Sequence, residues 1–175
     1  MRQRAVAYIG LILILTLSNF FPRVEFLIPL YMLLPLLFLS NRELGLKNYG
    51  KGILYGSPLF PLLLIFPPDL SCPSWVLNQL GIATAEEVFF RAYLMGSFGN
   101  LTVSLLFSLA HLINFPTLNS LLVFFPSLAF GYVYLRSGSI LAPILLHFSS
   151  NLLYNSLIEK FPQLYHLLQR QLTGG

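Results

Sequence analysis

Charge is scarce in this chain of 175 residues. Only 9% of the residues are charged and 56% are hydrophobic, whereas roughly 25% are charged in a typical soluble domain. Ten basic and six acidic side chains cannot cover the surface of a 19.8 kDa protein, so a water-soluble globule would expose large apolar patches. The composition therefore predicts a protein that is solvated by lipid.

Cysteine is nearly absent as well. The single cysteine, Cys72, excludes an internal disulfide and a metal cluster built on cysteines. It lies in a proline-rich connection, which favours an inert thiol over a catalytic nucleophile. The ten basic residues are scattered along the chain rather than gathered on one face, so we expect no nucleic-acid partner.

Seven apolar segments follow one another along the chain. A transmembrane helix needs about 20 mainly apolar residues, so the sequence predicts an all-α, polytopic integral membrane bundle of about seven transmembrane helices. We expect one domain, residues 1–175, with an amphipathic tail from 162 to 175 along the membrane interface. The predicted spans are residues 5–21, 26–39, 53–66, 75–95, 101–115, 118–135 and 140–158.

The basic residues of the short connections indicate an orientation. Lysine and arginine are enriched in cytoplasmic loops. Successive spans must cross the membrane in opposite directions. Seven spans satisfy this condition if the cytoplasmic side holds the N-terminal arginines, residues 41–52, the turn at 96–100 and Arg136. The first span has no small-x-small cleavage site after it, so we expect it to be retained rather than removed as a signal peptide.

Three charged residues lie inside the fourth predicted span. Each of Glu86, Glu87 and Arg91 would cost about 2.5 to 3.5 kcal/mol near the bilayer centre. Glu87 and Arg91 are four residues apart and can pair along one helix face. Glu86 points about 100° away and needs protonation, another helix or a metal to neutralise it. This segment is the strongest functional signal in the sequence.

Two further spans supply histidines. His147 and Asn151 are one helical turn apart, and His111 lies in the fifth span. Taken singly, each of these three residues could have a structural role, as a hydrogen-bonded residue of the bundle or as a contact between helices. Glu87 and Arg91 could likewise form a structural ion pair. Together they contain the groups needed to hydrolyse an amide: a base for water, a second proton carrier and oxyanion donors.

The motifs Glu86-Glu87-x-x-x-Arg91, Phe107-x-x-x-His111 and His147-x-x-x-Asn151 occur in that order on separate predicted spans. Over residues 75–158 the chain resembles the CPBP family of intramembrane proteases, which is named for CAAX-prenyl proteases and bacteriocin-processing enzymes and is also called Abi.

The resemblance implies a multi-pass endopeptidase of the Ras-converting-enzyme type, in a prokaryotic cell membrane, that acts on a membrane-associated protein or peptide. Glu86 and His111 would activate water, and His147 and Asn151 would stabilise the oxyanion. Glu87 and Arg91 match supporting positions. No cofactor is expected.

Three alternatives stay open. Glu86, His111 and His147 could hold a catalytic zinc, although the His-Glu-x-x-His signature of zinc peptidases is missing. The protein could instead be a non-enzymatic membrane scaffold or a bacteriocin-immunity type of protein that keeps the charges for packing. A proton- or ion-coupled transporter also uses intramembrane glutamate and histidine, but we see no inverted repeat.

Overall fold

The computed structural model describes residues 1–172, and it is built from helices. This confirms the predicted all-α class. Within the described residues, extended pairing is limited to an isolated antiparallel bridge between Thr117 and Gln171. The helices are α1 (Arg2–Phe20), α2 (Leu27–Leu33), α3 (Tyr49–Gly56), α4 (Phe60–Ile65), α5 (Pro73–Glu87), α6 (Asn100–Asn114), α7 (Leu118–Leu122), α8 (Phe124–Ser137), α9 (Leu141–Lys160) and α10 (Pro162–Leu168).

The predicted number of seven spans is not confirmed. Among residues 1–172, two helical stretches are long and apolar enough to cross a membrane, Arg2–Phe20 and Leu118–Ser137. A third apolar helix, Asn100–Asn114, is shorter. Apolar composition alone therefore overstates how many uninterrupted helices the chain forms.

Proline accounts for two of these differences. The second predicted span becomes α2 followed by a 3-10 turn, Leu34–Leu37, which has a proline at its start. The third divides into α3 and α4, and Pro58 and Pro61 flank the start of α4. Proline has no N–H to donate and its ring obstructs the preceding helical turn, so each segment is interrupted.

Close helix packing positions the centre of the bundle. Gly56 of α3 lies against α9, where an added Cβ would come within 2.8 Å of the Ala142 carbonyl oxygen. Small residues allow such approaches between helices in lipid. The largest buried cluster joins α1, α6 and the segment directly after α5 through side chains such as Leu11, Phe107 and Phe89. The helices α5 and α9 also pack against each other.

The outer face of the bundle is apolar. Leu64 is 86% exposed, and Leu13, Leu105 and Leu135 also point away from the protein. Exposed apolar side chains on so many helices exceed the patches that soluble monomers present. The outer face is therefore consistent with a membrane protein.

The tail predicted to be amphipathic is helical over Pro162–Leu168, and this helix has no buried residue. The end of that prediction, residues 173–175, lies outside the described residues.

Candidate active site

The two glutamates lie at a change of helix type. The α-helix α5 ends at Glu87, and the chain continues as a π-helix over Val88–Tyr93, all six residues of which are buried. The N–H of Leu94 bonds to the carbonyl of Phe89, five residues earlier. Wide turns of this kind occur mostly within α-helices and frequently at functional sites.

Glu87 is fully buried. One carboxylate oxygen forms a hydrogen bond, and the other forms an ion pair without hydrogen-bond geometry. Its Oε2 lies 3.1 Å from Nε of Arg91, an ion pair in which both side chains are inaccessible to solvent. Its Oε1 lies 2.8 Å from Nδ1 of His147 on α9. The first contact is the one predicted from the four-residue spacing. The second was not predicted, because no local pattern connects α5 with α9.

Arg91 extends this group of buried contacts to α8. Its Nη2 donates to both the carbonyl oxygen of Ser127, at 2.9 Å, and the Ser127 hydroxyl, at 2.7 Å. The guanidinium carbon also lies 5.0 Å from the Phe107 ring centroid and 5.5 Å from that of Phe130, distances at which an aromatic face attracts a cation. Arg91 thus links three helices around one buried positive charge.

Glu86 has a different environment although it is the next residue. Its side chain is 15% exposed, and Oε2 lies 3.5 Å from Nε2 of His147. That distance is too long for a good hydrogen bond. Within residues 1–172, this buried oxygen has no hydrogen-bond partner. A buried carboxylate oxygen without a donor is costly and calls for a functional or solvent partner.

His111 lies between two cavities. The first, of about 580 Å³, is lined by Glu86 and His111, and the second, of about 360 Å³, by His111, His147 and Asn151. Nδ1 of His111 is 3.0 Å from the Phe107 carbonyl oxygen, which can only accept, so this contact requires the proton on Nδ1. Nε2 is then the nitrogen left to act on a bound molecule.

Asn151 is held by a residue that sequence reasoning missed. Its Nδ2 donates to Oε1 of Gln79 on α5 at 3.2 Å, and both residues line the second cavity. Gln79 is a polar residue inside a predicted span, and that signal could have identified it. Ser127 was missed too. It had no comparable signal, because serine is common in membrane helices.

The structure therefore places five of the six candidate residues near one another, and contacts of 3.5 Å or less join four of them. Polar contacts join Arg91 to Glu87, Glu87 to His147 and His147 to Glu86, and Asn151 is one turn from His147. Glu86 and His111 share a cavity, but no direct polar contact joins them in the described structure.

The proposed zinc ligands do not form a metal-binding set. Across residues 1–172, no three His, Cys, Asp or Glu side chains are grouped so that they could hold a metal ion. Nδ1 of His147 contacts Glu87 and Nδ1 of His111 contacts the Phe107 carbonyl, which leaves Nε2 of both rings available. Zinc stays an alternative for experiment.

Residues 68–153 match the family model described as type II CAAX prenyl endopeptidase Rce1-like. This match covers just under half of the chain. It contains all six candidate residues, and it confirms the resemblance predicted over residues 75–158. Comparisons with curated proteins and with solved structures found no match.

The Rce1-like family is a family of membrane-embedded proteases that act on membrane-associated proteins, so the match supports a peptidase. The apolar outer face of the bundle agrees with that environment.

Proposed function

We propose that this Rce1-like protein is an intramembrane endopeptidase, a single multi-pass domain in a prokaryotic cell membrane that cleaves a peptide bond of a membrane-associated protein or peptide. One observation carries the proposal: the buried Oε2 of Glu86 lacks a hydrogen-bond donor and belongs to a side chain that lines a cavity shared with His111. A water molecule in that cavity is the donor that the carboxylate lacks.

Glu86 is the general base. It takes a proton from water as the water oxygen attacks the carbonyl carbon of the scissile peptide bond. His111, which lines the same cavity, holds this water through Nε2. A positioned base of this kind contributes about 10²- to 10⁴-fold in rate.

His147 and Asn151 stabilise the oxyanion that forms on the carbonyl oxygen. Asn151 uses one N–H for Gln79, which leaves the second N–H of its amide for the oxyanion. His147 donates from Nδ1 to Glu87 and, as an imidazolium, from Nε2 to the oxyanion. Donors directed at developing negative charge are among the largest contributions to enzymatic rate enhancement.

The intermediate then collapses. The carbon–nitrogen bond breaks, and the proton that Glu86 removed from water passes to the leaving amine, directly or through His111. Glu86 is restored as a carboxylate. No metal is needed at any step.

Glu87 and Arg91 position these groups. Arg91 neutralises Glu87 in the buried interior, and Glu87 fixes the ring of His147 by accepting from Nδ1. A carboxylate that orients an imidazole in this way sets which nitrogen faces the reaction. Neither residue touches the substrate in this scheme.

The test is cleavage by purified protein in lipid. A panel of membrane-associated peptides, prenylated and unprenylated, is incubated with the wild type and with Glu86→Gln, and products are identified by mass spectrometry. The matched control is Glu159→Gln, an exposed glutamate in the last turn of α9. We expect discrete cleavage by the wild type and the control, and its loss in Glu86→Gln.

Two outcomes would contradict the proposal. Equal product from the Glu86 variant would show that Glu86 is not the base. Activity lost on chelation and restored by zinc would replace the metal-free scheme with the zinc alternative.

A further inference from the structure

The two ends of the bundle carry very different charge. Three long-range hydrogen bonds define one end: Arg4 to Ser97 at 2.9 Å, the Tyr134 hydroxyl to the Glu43 carbonyl at 3.2 Å, and Asn48 to the Ser137 carbonyl at 3.3 Å. We call this the basic end. Six basic residues lie there against one acidic residue, Glu43; the six are Arg2, Arg4, Arg42, Lys47, Lys51 and Arg136.

The opposite end is electrically balanced. Hydrogen bonds join Asn19 to the Ile113 carbonyl, Ser156 to the Pro67 carbonyl and Gln169 to the Tyr154 hydroxyl, which gathers the ends of α1, α4, α6 and α9 with α10. We call this the neutral end. Its three basic and three acidic residues are Arg23, Lys160, Arg170, Glu25, Asp69 and Glu159.

Both cavities of the site reach toward the neutral end. The first extends from Glu86 and Phe90 to Arg23 and Glu25, just past the end of α1, and to Asn114, the last residue of α6. The lining of the second includes Asn119 at the start of α7 and Asn155 in the later half of α9. No residue of the basic end lines either cavity.

Cytoplasmic loops of membrane proteins carry an excess of lysine and arginine, counted in short connections close to the spans. The basic end meets that description and the neutral end does not. We infer that the candidate active site opens to the non-cytoplasmic face of the membrane, so that its substrate is a peptide segment presented from outside the cytoplasm.

The inference names the substrate class of the proposed peptidase and therefore rests on the proposed function. A segment of a secreted or membrane-anchored protein that lies at the outer membrane surface can enter the first cavity past Arg23, Glu25 and Asn114. A soluble cytoplasmic tail meets the basic end, where neither cavity opens.

The chain contains its own probe of this orientation. Cys72, the one cysteine, is exposed in the connection before α5, which is part of the neutral end. Its contact with the Ser74 hydroxyl, and further hydrogen bonds nearby, lower the pKa of the Cys72 thiol. The larger thiolate fraction favours reaction with a maleimide.

The experiment uses a polyethylene-glycol maleimide that cannot cross membranes, applied to right-side-out and inside-out vesicles that contain the full chain. We expect a one-adduct gel shift for Cys72 in right-side-out vesicles and its loss in Cys72→Ser. In the Cys72→Ser background, Asn114→Cys tests the cavity mouth and is expected to react from the same side. Asn41→Cys, an exposed position at the basic end, is expected to react only in inside-out vesicles.

The reverse pattern would overturn the inference. Labelling of Cys72 and Asn41→Cys in the same vesicles would also overturn it, because the two ends would then share one side of the membrane or the chain would insert in both orientations. Reaction of Cys72 but not of Asn114→Cys from the outside would overturn the cavity's direction. Labelling does not require cleavage, so a failed peptidase assay and a failed orientation are separate results.

Discussion

Glu86 and Glu87 are neighbours of the same residue type, yet the structure gives them opposite environments. Glu87 is fully buried and contacts Arg91 and His147. Glu86 is 15% exposed, lines a cavity and has an oxygen without a hydrogen-bond donor in the described residues. A paired carboxylate can orient other groups, whereas an unpaired one at a cavity can act on a bound molecule. The comparison assigns positioning to one glutamate and chemistry to the other.

Removing the charge of Glu86 gives the largest expected effect on cleavage. We expect Glu86→Gln to lower kcat by about 10²- to 10⁴-fold, the contribution of a general base. Its thermal unfolding in detergent should stay close to that of the wild type, because Glu86 has no tight partner to lose. Normal turnover with lowered stability in this variant would mean that Glu86 has a structural role and not a chemical one.

Removing Glu87 should affect folding first. Glu87→Ala leaves Arg91 buried without its carboxylate, and breaking a buried pair in this way costs about 3 to 5 kcal/mol. Denaturation in detergent compares the variant with Glu86→Ala. Stability losses of equal size in the two variants would mean that the ion pair of Glu87 with Arg91 does not contribute more to stability than the environment of Glu86 does.

Ser127 tests how far the buried contacts around Arg91 matter. Ser127→Ala removes a 2.7 Å hydrogen bond to a buried guanidinium, and we expect a loss of about 1 to 3 kcal/mol in stability together with lower activity.

The matched control for Ser127 is Ser149→Ala on α9. Ser149 is equally buried, but its hydroxyl donates to carbonyls of its own helix, and such bonds add little to helix stability. We therefore expect a smaller change than for Ser127. Equal losses of stability in both variants would mean that the Ser127 effect comes from packing and not from the hydrogen bond to Arg91.

The smallest expected effect concerns Gln79. Gln79→Leu removes the acceptor that orients the Asn151 amide, and we expect kcat to fall several-fold, on the order of 1 kcal/mol in transition-state stabilisation, with KM nearly unchanged. Gln79→Glu keeps an acceptor and should restore part of the rate.

The control for Gln79 is Asn155→Ala, because Asn155 lines the same cavity but donates only to the Asn151 backbone carbonyl. Its kcat should stay near that of the wild type. A rise in KM for Gln79→Leu, with kcat intact, would place Gln79 in substrate binding instead.

Local sequence patterns were informative where the chemistry depends on a single helix. The charges of the fourth segment predicted a site, and the four-residue spacing predicted the pair of Glu87 with Arg91, which the structure contains. The order of three motifs predicted the family that residues 68–153 match. Helix lengths were predicted less well, because the prolines of the second and third segments interrupt helices that hydropathy alone treats as continuous.

Contacts between helices lay beyond those patterns. The sequence offered no reason to place Nδ1 of His147, rather than His111, against Glu87, or to place Ser127 against Arg91. The catalytic roles of the six candidate residues stay predictions that the variants above test.

The amino-acid sequence by itself determined the apolar, all-helical character of this protein and the cost of three charges within one segment, because composition and helical spacing are properties of consecutive residues. The tertiary structure alone decided which glutamate is paired, which histidine nitrogen is engaged and toward which end the cavities reach. Those properties depend on how helices distant in sequence pack around a buried charge, and packing determines burial, distance and access together.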